Sequence, residues 1–258
     1  MSFSVKRSPA PIALNTRLAY LDLLAEPQEL YVEQMVANGI PWLIADGGYA
    51  VTSGESLIEL YLPDASDDKL TGVAKLLRHE AGVQQILYKS FDPQLNRLAD
   101  LQNSGCTVVG HLFRQFSNRE VRTEELTPIL RPSAIEDLQK IAAIDDSFFS
   151  GPNEIQEYHR NGGLYSLVTP DQVLLGCGIT TRVIPDHRIL DLGMLVAPEH
   201  RNQNLGAFII NQLALRCITD GDRPICGCSS DNKASFRALN KAGFTSNYQN
   251  LRIELDQV

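Results

Sequence analysis

The sequence predicts an α/β fold, a mixed sheet flanked by helices, laid down twice along the chain. Three observations predict it. Short strand-like apolar runs alternate with helix-like segments through all 258 residues. The order of these segments in the first half recurs in the second. One stretch, LDLGMLVAPEHRNQNLGAF over 190–208, reads as a strand, a polar turn and the start of a helix.

The elements of the first half follow in order. Residues 1–11 read as a loose arm. Leu14, Leu18, Leu21 and Leu24 share one face of a helix over 14–24. Pro27 opens a second helix to about Ala37, and Asn38-Gly39 stops it. Strands over 41–45 and 49–52 flank Asp46-Gly47-Gly48, a hairpin signal. A strand over 57–62, a helix over 69–80, a strand over 84–89, a helix over 93–103 ended by Gly105, and a strand over 106–113 complete this half. The polar segment 117–125 reads as a linker.

The second half repeats the order. A strand over 128–131 comes first. Ser133 caps a helix running to about Asp145, with Glu136 completing a capping box. A helix over 153–160 is stopped by Asn161-Gly162-Gly163. Strands over 164–168 and 173–181 surround Thr169-Pro170-Asp171, and the strand over 189–197 ends at Pro198. A helix from Leu205 to about Thr219, a strand over 225–229, a helix from Asn232 and a last strand through Glu254 follow. Pro63 lies opposite Pro198, and 92–105 opposite 231–243. The division expected is 1–117, a linker at 118–126, and 127–258. Two copies of one architecture and two unrelated αβ segments both fit this pattern.

The turn at 200–207 carries the chemistry. Polar and small residues opening a helix leave backbone N–H groups without partners. With the positive end of the helix dipole they form an anion site suited to a pyrophosphate. Gly206 removes the side chain that would block close approach. The matching segment of the first half, Asp64-Ala65-Ser66-Asp67-Asp68-Lys69, has three carboxylates and no glycine. It suits a helix dipole and repels a phosphate. The first half is therefore expected to shape or cover the site.

Two motifs resemble those of the GNAT acyltransferase superfamily. Val196-Ala197-Pro198-Glu199-His200-Arg201-Asn202-Gln203-Asn204-Leu205-Gly206-Ala207 is similar to its coenzyme A loop, V-x-P-x-x-R-x-x-G-x-G/A. Asn204 stands where the family has its first glycine, and Asn tolerates the left-handed region best among other residues. Residues 232–244 are similar to the later motif, N-x-x-A/S-x-x-L/V-Y/L-x-K-x-G-F. Physically they read as a helix capped by Ser230 or Asp231 and closed by a left-handed Gly243. The resemblance covers residues 127–258. It implies a mostly antiparallel sheet, two tandem GNAT-like domains of which the first is degenerate, and transfer of an acetyl group from acetyl-CoA to an amine.

The resemblance also implies a site. Arg201, Asn202, Gln203, Asn204, Leu205, Gly206 and Ala207 bind the pyrophosphate. The backbone of Leu195, Val196 and Ala197 pairs with pantetheine and orients the thioester, and Asn232 bonds pantetheine; its plainer reading is a helix cap, and both roles can hold. Asp191, the one carboxylate on the central strand, is the candidate base for the amine. His187 is a weaker one, in a solvated turn. Glu157 and His159 lie where the family places acceptor-binding residues. The family's tyrosine acid is Leu239 here, so that step does not transfer. Tyr165 and Tyr248 are the substitutes to examine.

Composition narrows the partners. With 31 acidic and 23 basic residues the formal charge is -8, which speaks against nucleic acid and anionic membranes. No apolar run is long enough to span a bilayer, and 1–14 makes a poor signal peptide. Five cysteines without framework spacing fit a reducing cytoplasm and no metal site. The expected partner is a small-molecule amine or a peptide N-terminus, and the chain is a monomer or homodimer. An acyl-CoA-binding module without turnover and a packing scaffold are the competing readings. The intact Arg201, Gly206 and Asn232 disfavour the scaffold.

Overall fold

A computed structural model of the chain describes residues 4–102, 104–123 and 127–255, without the side chain of Asp46. The start of the expected arm at 1–3, Asn103 and the end of the expected linker at 124–126 lie outside the described residues. The chain divides into two units. The first comprises 1–111, 229–231 and 248–258; the second comprises 112–228 and 232–247.

The first unit runs β1 (Val5–Arg7), α1 (Leu14–Leu21), α2 (Leu30–Asn38), β2 (Ile40–Ile44), β3 (Gly48–Ser53), β4 (Ser56–Tyr61), α3 (Asp67–Ala81), β5 (Gln85–Lys89), α4 (Pro93–Gln102) and the start of β6 (Cys106–Phe116). Its last strand is the end of β12 (Phe244–Glu254), where Asn250 to Glu254 pair antiparallel with Lys89 to Gln85. The expected division at 127–258 keeps 248–258 with the second half, whereas the contacts group it with the first. Alternation marks a strand but not its partner. The expected loose arm contains β1, a three-residue strand pairing with Ile44 to Trp42, too short to show a period. Strands β1 to β4 are antiparallel neighbours, and β4 meets β5 in parallel at Ser56 and Leu57.

One face of this sheet packs on α3 and α4 through Leu57, Leu60, Leu70, Leu77, Leu95 and Leu98. The other face meets α1 and α2 and holds buried charge. Where Val51 pairs with Glu59 and Thr52 with Leu57, Ile58 is an extra residue, a bulge that re-aims Glu59. Glu59 accepts from Arg17 Nε at 2.8 Å and Nη2 at 2.7 Å, and from the Tyr49 hydroxyl at 2.7 Å. Arg17 also bonds Glu33 at 2.8 Å. Lys89 donates to the Tyr20 hydroxyl at 2.7 Å, which donates to Asp92 at 2.6 Å. Such charges tolerate burial because each has a partner.

The second unit runs from residue 112 in β6 through β7 (Ile129–Pro132), α5 (Asp137–Ile144), α6 (Pro152–Arg160), β8 (Leu164–Val168), β9 (Leu174–Arg182), β10 (Ile189–Val196), α7 (Leu205–Thr219), β11 (Arg223–Ser229) and α8 (Lys233–Ala242) to 247 in β12. The strand order is β6-β11-β10-β9-β8-β7. Most pairings are antiparallel; β10 with β11 is parallel. The element order of the first unit therefore recurs, and the fold is a mixed, mostly antiparallel sheet with helices on its faces, present twice.

Two cap assignments differ from expectation. Ser133 does not cap α5: its hydroxyl bonds Ser166 at 2.8 Å, and the helix begins at Asp137. The Asp137 carboxylate instead accepts the Ala134 N–H at 2.9 Å, Ser166 Oγ at 2.9 Å and Arg131 Nη1 at 2.6 Å. In α8 the cap is Asn232, whose Oδ1 accepts the Ser235 N–H at 2.9 Å, rather than Ser230 or Asp231. Asp231 is taken by the Ser229 hydroxyl.

Candidate active site

Strand β10 has two different faces. Leu192, Met194 and Val196 point toward α7, and Leu195 packs on the α5–α6 side. Along one edge β10 pairs with β9 from Leu190 as far as Val196. Along the other it pairs with β11 only at Ile189, Leu190 and Asp191. Beyond Asp191 the two parallel strands part. The backbone of 192–196 is left with an open edge, a strand-shaped row of donors and acceptors.

That edge runs into the turn. Asn202 and Asn204 have φ of 65° and 62°, left-handed values that a glycine usually supplies. Asn204 is held there from both sides: Lys241 donates to its Oδ1 at 2.8 Å, and its Nδ2 donates to the Arg122 carbonyl at 3.3 Å. The first hydrogen bond of α7 is from Phe208 N–H to Asn204 O. The N–H groups of Leu205, Gly206 and Ala207 therefore have no partner within the helix.

These groups share one cavity of about 690 Å³. Leu195, Val196, Arg201, Asn202, Asn204, Leu205, Gly206, Ala207 and Asn232 all line it; Ala197 and Gln203 do not. Arg201, Arg237, Lys241 and His200 make the wall basic. With Oδ1 of Asn232 used as the cap, its Nδ2 is what remains for a ligand. The role of Gly206 is more than access. A Cβ there would lie 2.9 Å from Met194 Sδ, so the glycine also lets α7 sit close on β10.

Residues 126–244, which contain this site, match the model of the acetyltransferase (GNAT) family. They form a GNAT acetyltransferase domain. No curated protein sequence matches the chain. Among solved structures, the chain is similar to an acetyltransferase of the GNAT family from Colwellia psychrerythraea, with a TM-score of 0.81 at 18% identity over 98% of this chain and 100% of that one. A tandem GNAT protein from the clavulanic acid biosynthesis pathway matches at TM-score 0.61 and 13% identity over the full length of both chains. A GCN5-related N-acetyltransferase from Sphaerobacter thermophilus matches at TM-score 0.62 and 12% identity over 99% and 96%. At these identities the likeness is one of fold, and it extends to the first unit.

Outside the cavity, the GNAT domain places the other expected residues on the α6 side. Asp191 lies opposite Thr181 across β9 and opposite Ile225 on β11. It does not line the cavity. Asp191 and the buried Arg114 both act on the Cys226 thiol, Asp191 raising its pKa and Arg114 lowering it, while burial pushes it up most. A buried guanidinium thus shares Asp191's surroundings. Glu157 is exposed and His159 half-buried on α6, and neither lines the cavity. The residue between them was missed. Tyr158 follows the buried Ile155 at helical spacing and stacks at 6.0 Å from Phe149. Burial raises its hydroxyl pKa, a hydrogen bond with Thr181 opposes the rise and Glu154, Asp191 and Glu157 add to it, and the net shift is upward, so it stays a protonated donor. Ile155 was the sequence signal that could have found it.

The alternative tyrosines are elsewhere. Tyr165 carries Arg216 over its ring at 5.0 Å, and Tyr248 stacks at 5.4 Å on Phe91 in the first unit. Leu239 is core, 2% exposed. Among the described residues lining the cavity there is no tyrosine.

Proposed function

We propose that the protein is an N-acetyltransferase that uses acetyl-CoA and an amine, either a small molecule or a peptide N-terminus, in the cytoplasm. The observation that carries this reading is the open edge of β10 running into the left-handed turn and the α7 N-terminus within one basic cavity. The donor set fits the ligand. Arg201 and the N–H groups of Leu205, Gly206 and Ala207 suit a diphosphate. The open edge at Leu195 and Val196 suits the amides of pantetheine, with Asn232 Nδ2 as a further donor, whereas the Ala197 N–H is already given to the Leu175 carbonyl at 3.0 Å. Acetyl-CoA, when bound, supplies an acetyl group activated as a thioester.

The chain's own residues do the rest. A backbone donor on the open edge stabilises negative charge developing on a carbonyl oxygen placed against it. Asp191, on the α6 face beside Tyr158, accepts the proton of the incoming amine directly or through water. Glu157 and His159 set the outer wall for the acceptor, and Tyr158 donates to it. A thiol near the ordinary cysteine value leaves as thiolate at neutral pH, so a tyrosine acid is dispensable.

The test is release of free thiol from acetyl-CoA with a panel of amines. Amine-dependent release is expected. Binding of acetyl-CoA with no release for any amine class would make this an acyl-CoA-binding module instead.

A further inference from the structure

The cavity contains one residue that its chemistry does not call for. Among the described lining residues Asp146 is the only carboxylate, in a wall with Arg201, Arg237 and Lys241. It is also engaged: Arg201 Nη2 donates to Asp146 Oδ2 at 2.7 Å. Both side chains are about half exposed, 44% for Arg201 and 58% for Asp146, so water and an entering ligand reach the pair.

Asp146 lies in the segment joining α5 to α6, and that segment is braced on both sides of it. Asp145 Oδ1 accepts the N–H groups of Phe148 at 2.9 Å and Phe149 at 3.2 Å. Phe149 is buried, and Ser150 N–H donates to Glu154 Oε2 on α6 at 2.6 Å. Between them Ser147 has φ of 78°, a left-handed conformation that costs a serine stability. Phe148 lines the cavity and reaches Gly193 of β10: a Cβ on that glycine would be 3.1 Å from the Phe148 ring. The Asp146–Arg201 pair closes this strained segment onto the turn.

We propose that Asp146 is a built-in competitor for Arg201: it holds the guanidinium that the diphosphate of coenzyme A needs, and the ligand takes Arg201 from Asp146 on binding. This rests on the functional reading above and deepens it. Donor binding frees the 146–148 segment, which leads into the helix carrying Glu157, Tyr158 and His159. Occupation of the donor site is thereby linked to the acceptor side.

The experiment is calorimetric titration of coenzyme A into the full-length chain and its Asp146→Asn variant, which removes the charge and keeps the shape. The expected result is a two- to five-fold lower Kd for the variant, the scale of one exposed ion pair. In an Arg201→Ala background the same substitution should change Kd by less than a factor of about 1.5, a coupling that a merely structural role of Asp146 does not produce. S-acetyl-pantetheine, which has no diphosphate, should bind wild type and Asp146→Asn alike. Weaker binding by Asp146→Asn would overturn the proposal and make Asp146 a brace that positions Arg201. Equal tightening with and without Arg201 would also overturn it, leaving only bulk charge. If wild type binds coenzyme A but Asp146→Asn does not differ, this inference alone fails. If neither binds it, the functional reading fails and this inference with it.

Discussion

The side-chain amide of Gln94 closes the end of β4: it donates to the Leu62 carbonyl and accepts the Leu62 N–H, both at 2.8 Å. Leu62 of the first unit stands where Ala197 stands in the second, one residue before the matching proline. As β10 leaves β11, so β4 leaves β5 after Leu57, but in the first unit a side-chain amide of the protein takes up the backbone just past the strand end. Asp67, at the start of α3, is bound by Arg97 at 2.8 and 2.5 Å. No glycine lies in this turn, and Asp67 and Asp68 occupy the first turn of α3.

One coenzyme A per chain follows. The first unit's strand end is already hydrogen-bonded, and its helix start carries carboxylates. A calorimetric titration should saturate at one equivalent, and Gln94→Ala should leave the stoichiometry at one because Asp67 and Asp68 still repel a phosphate. Saturation at two equivalents contradicts this.

Asn204 takes the left-handed place of a glycine with its amide bonded on both sides. Asn204→Gly keeps the left-handed backbone and should stay within about 0.5 kcal/mol of wild type in urea unfolding. Asn204→Ala should cost about 1–2 kcal/mol, the penalty of a left-handed residue with a Cβ and no compensating bond. Equal stability of the two variants would show that the turn has refolded to another conformation.

Asp137 makes stability depend on acid. Burial pushes its carboxyl up, but bonds from Arg131, the Ala134 N–H and Ser166 outweigh that, so its pKa in the fold lies below the usual value. The sign follows. The contribution is fully present above the ordinary carboxylate range and is lost as pH falls through the lowered folded value. Asp137→Asn should cost about 2 kcal/mol at pH 7. The gap from wild type should narrow as the pH is lowered toward 2. A gap that is constant from pH 7 to 2 would show that the charge contributes nothing.

The legible parts of this chain were those set by local chemistry. Gly39 and Gly243 stop helices where punctuation says they do, and Leu205 opens α7 as read. The turn at 201–207 was readable because left-handed backbone and unpaired N–H groups demand particular residues in sequence. What was missed needed distant partners. Ser133 looked like a cap until Ser166, 33 residues away, took its hydroxyl. The pairing of β12 with β5 joins residues more than 150 positions apart. Nothing local in the sequence says that a bulge will bury Glu59 against Arg17. Tyr158 stands between Glu157 and His159, and only the spacing from the buried Ile155 marks its face of α6 as inward.

The site itself is tested most directly at Gly206. A glutamate there meets Met194 with its Cβ and brings a carboxylate to the α7 N-terminus, where it takes up the free N–H groups and repels a diphosphate. Acetyl-CoA should be titrated by calorimetry into wild type and Gly206→Glu, with thermal melting to show that both are folded. The account predicts saturable binding by wild type and at least about 100-fold weaker binding by the variant, the loss of roughly 2.7 kcal/mol. A folded Gly206→Glu protein with unchanged affinity would contradict it and put the acyl donor elsewhere.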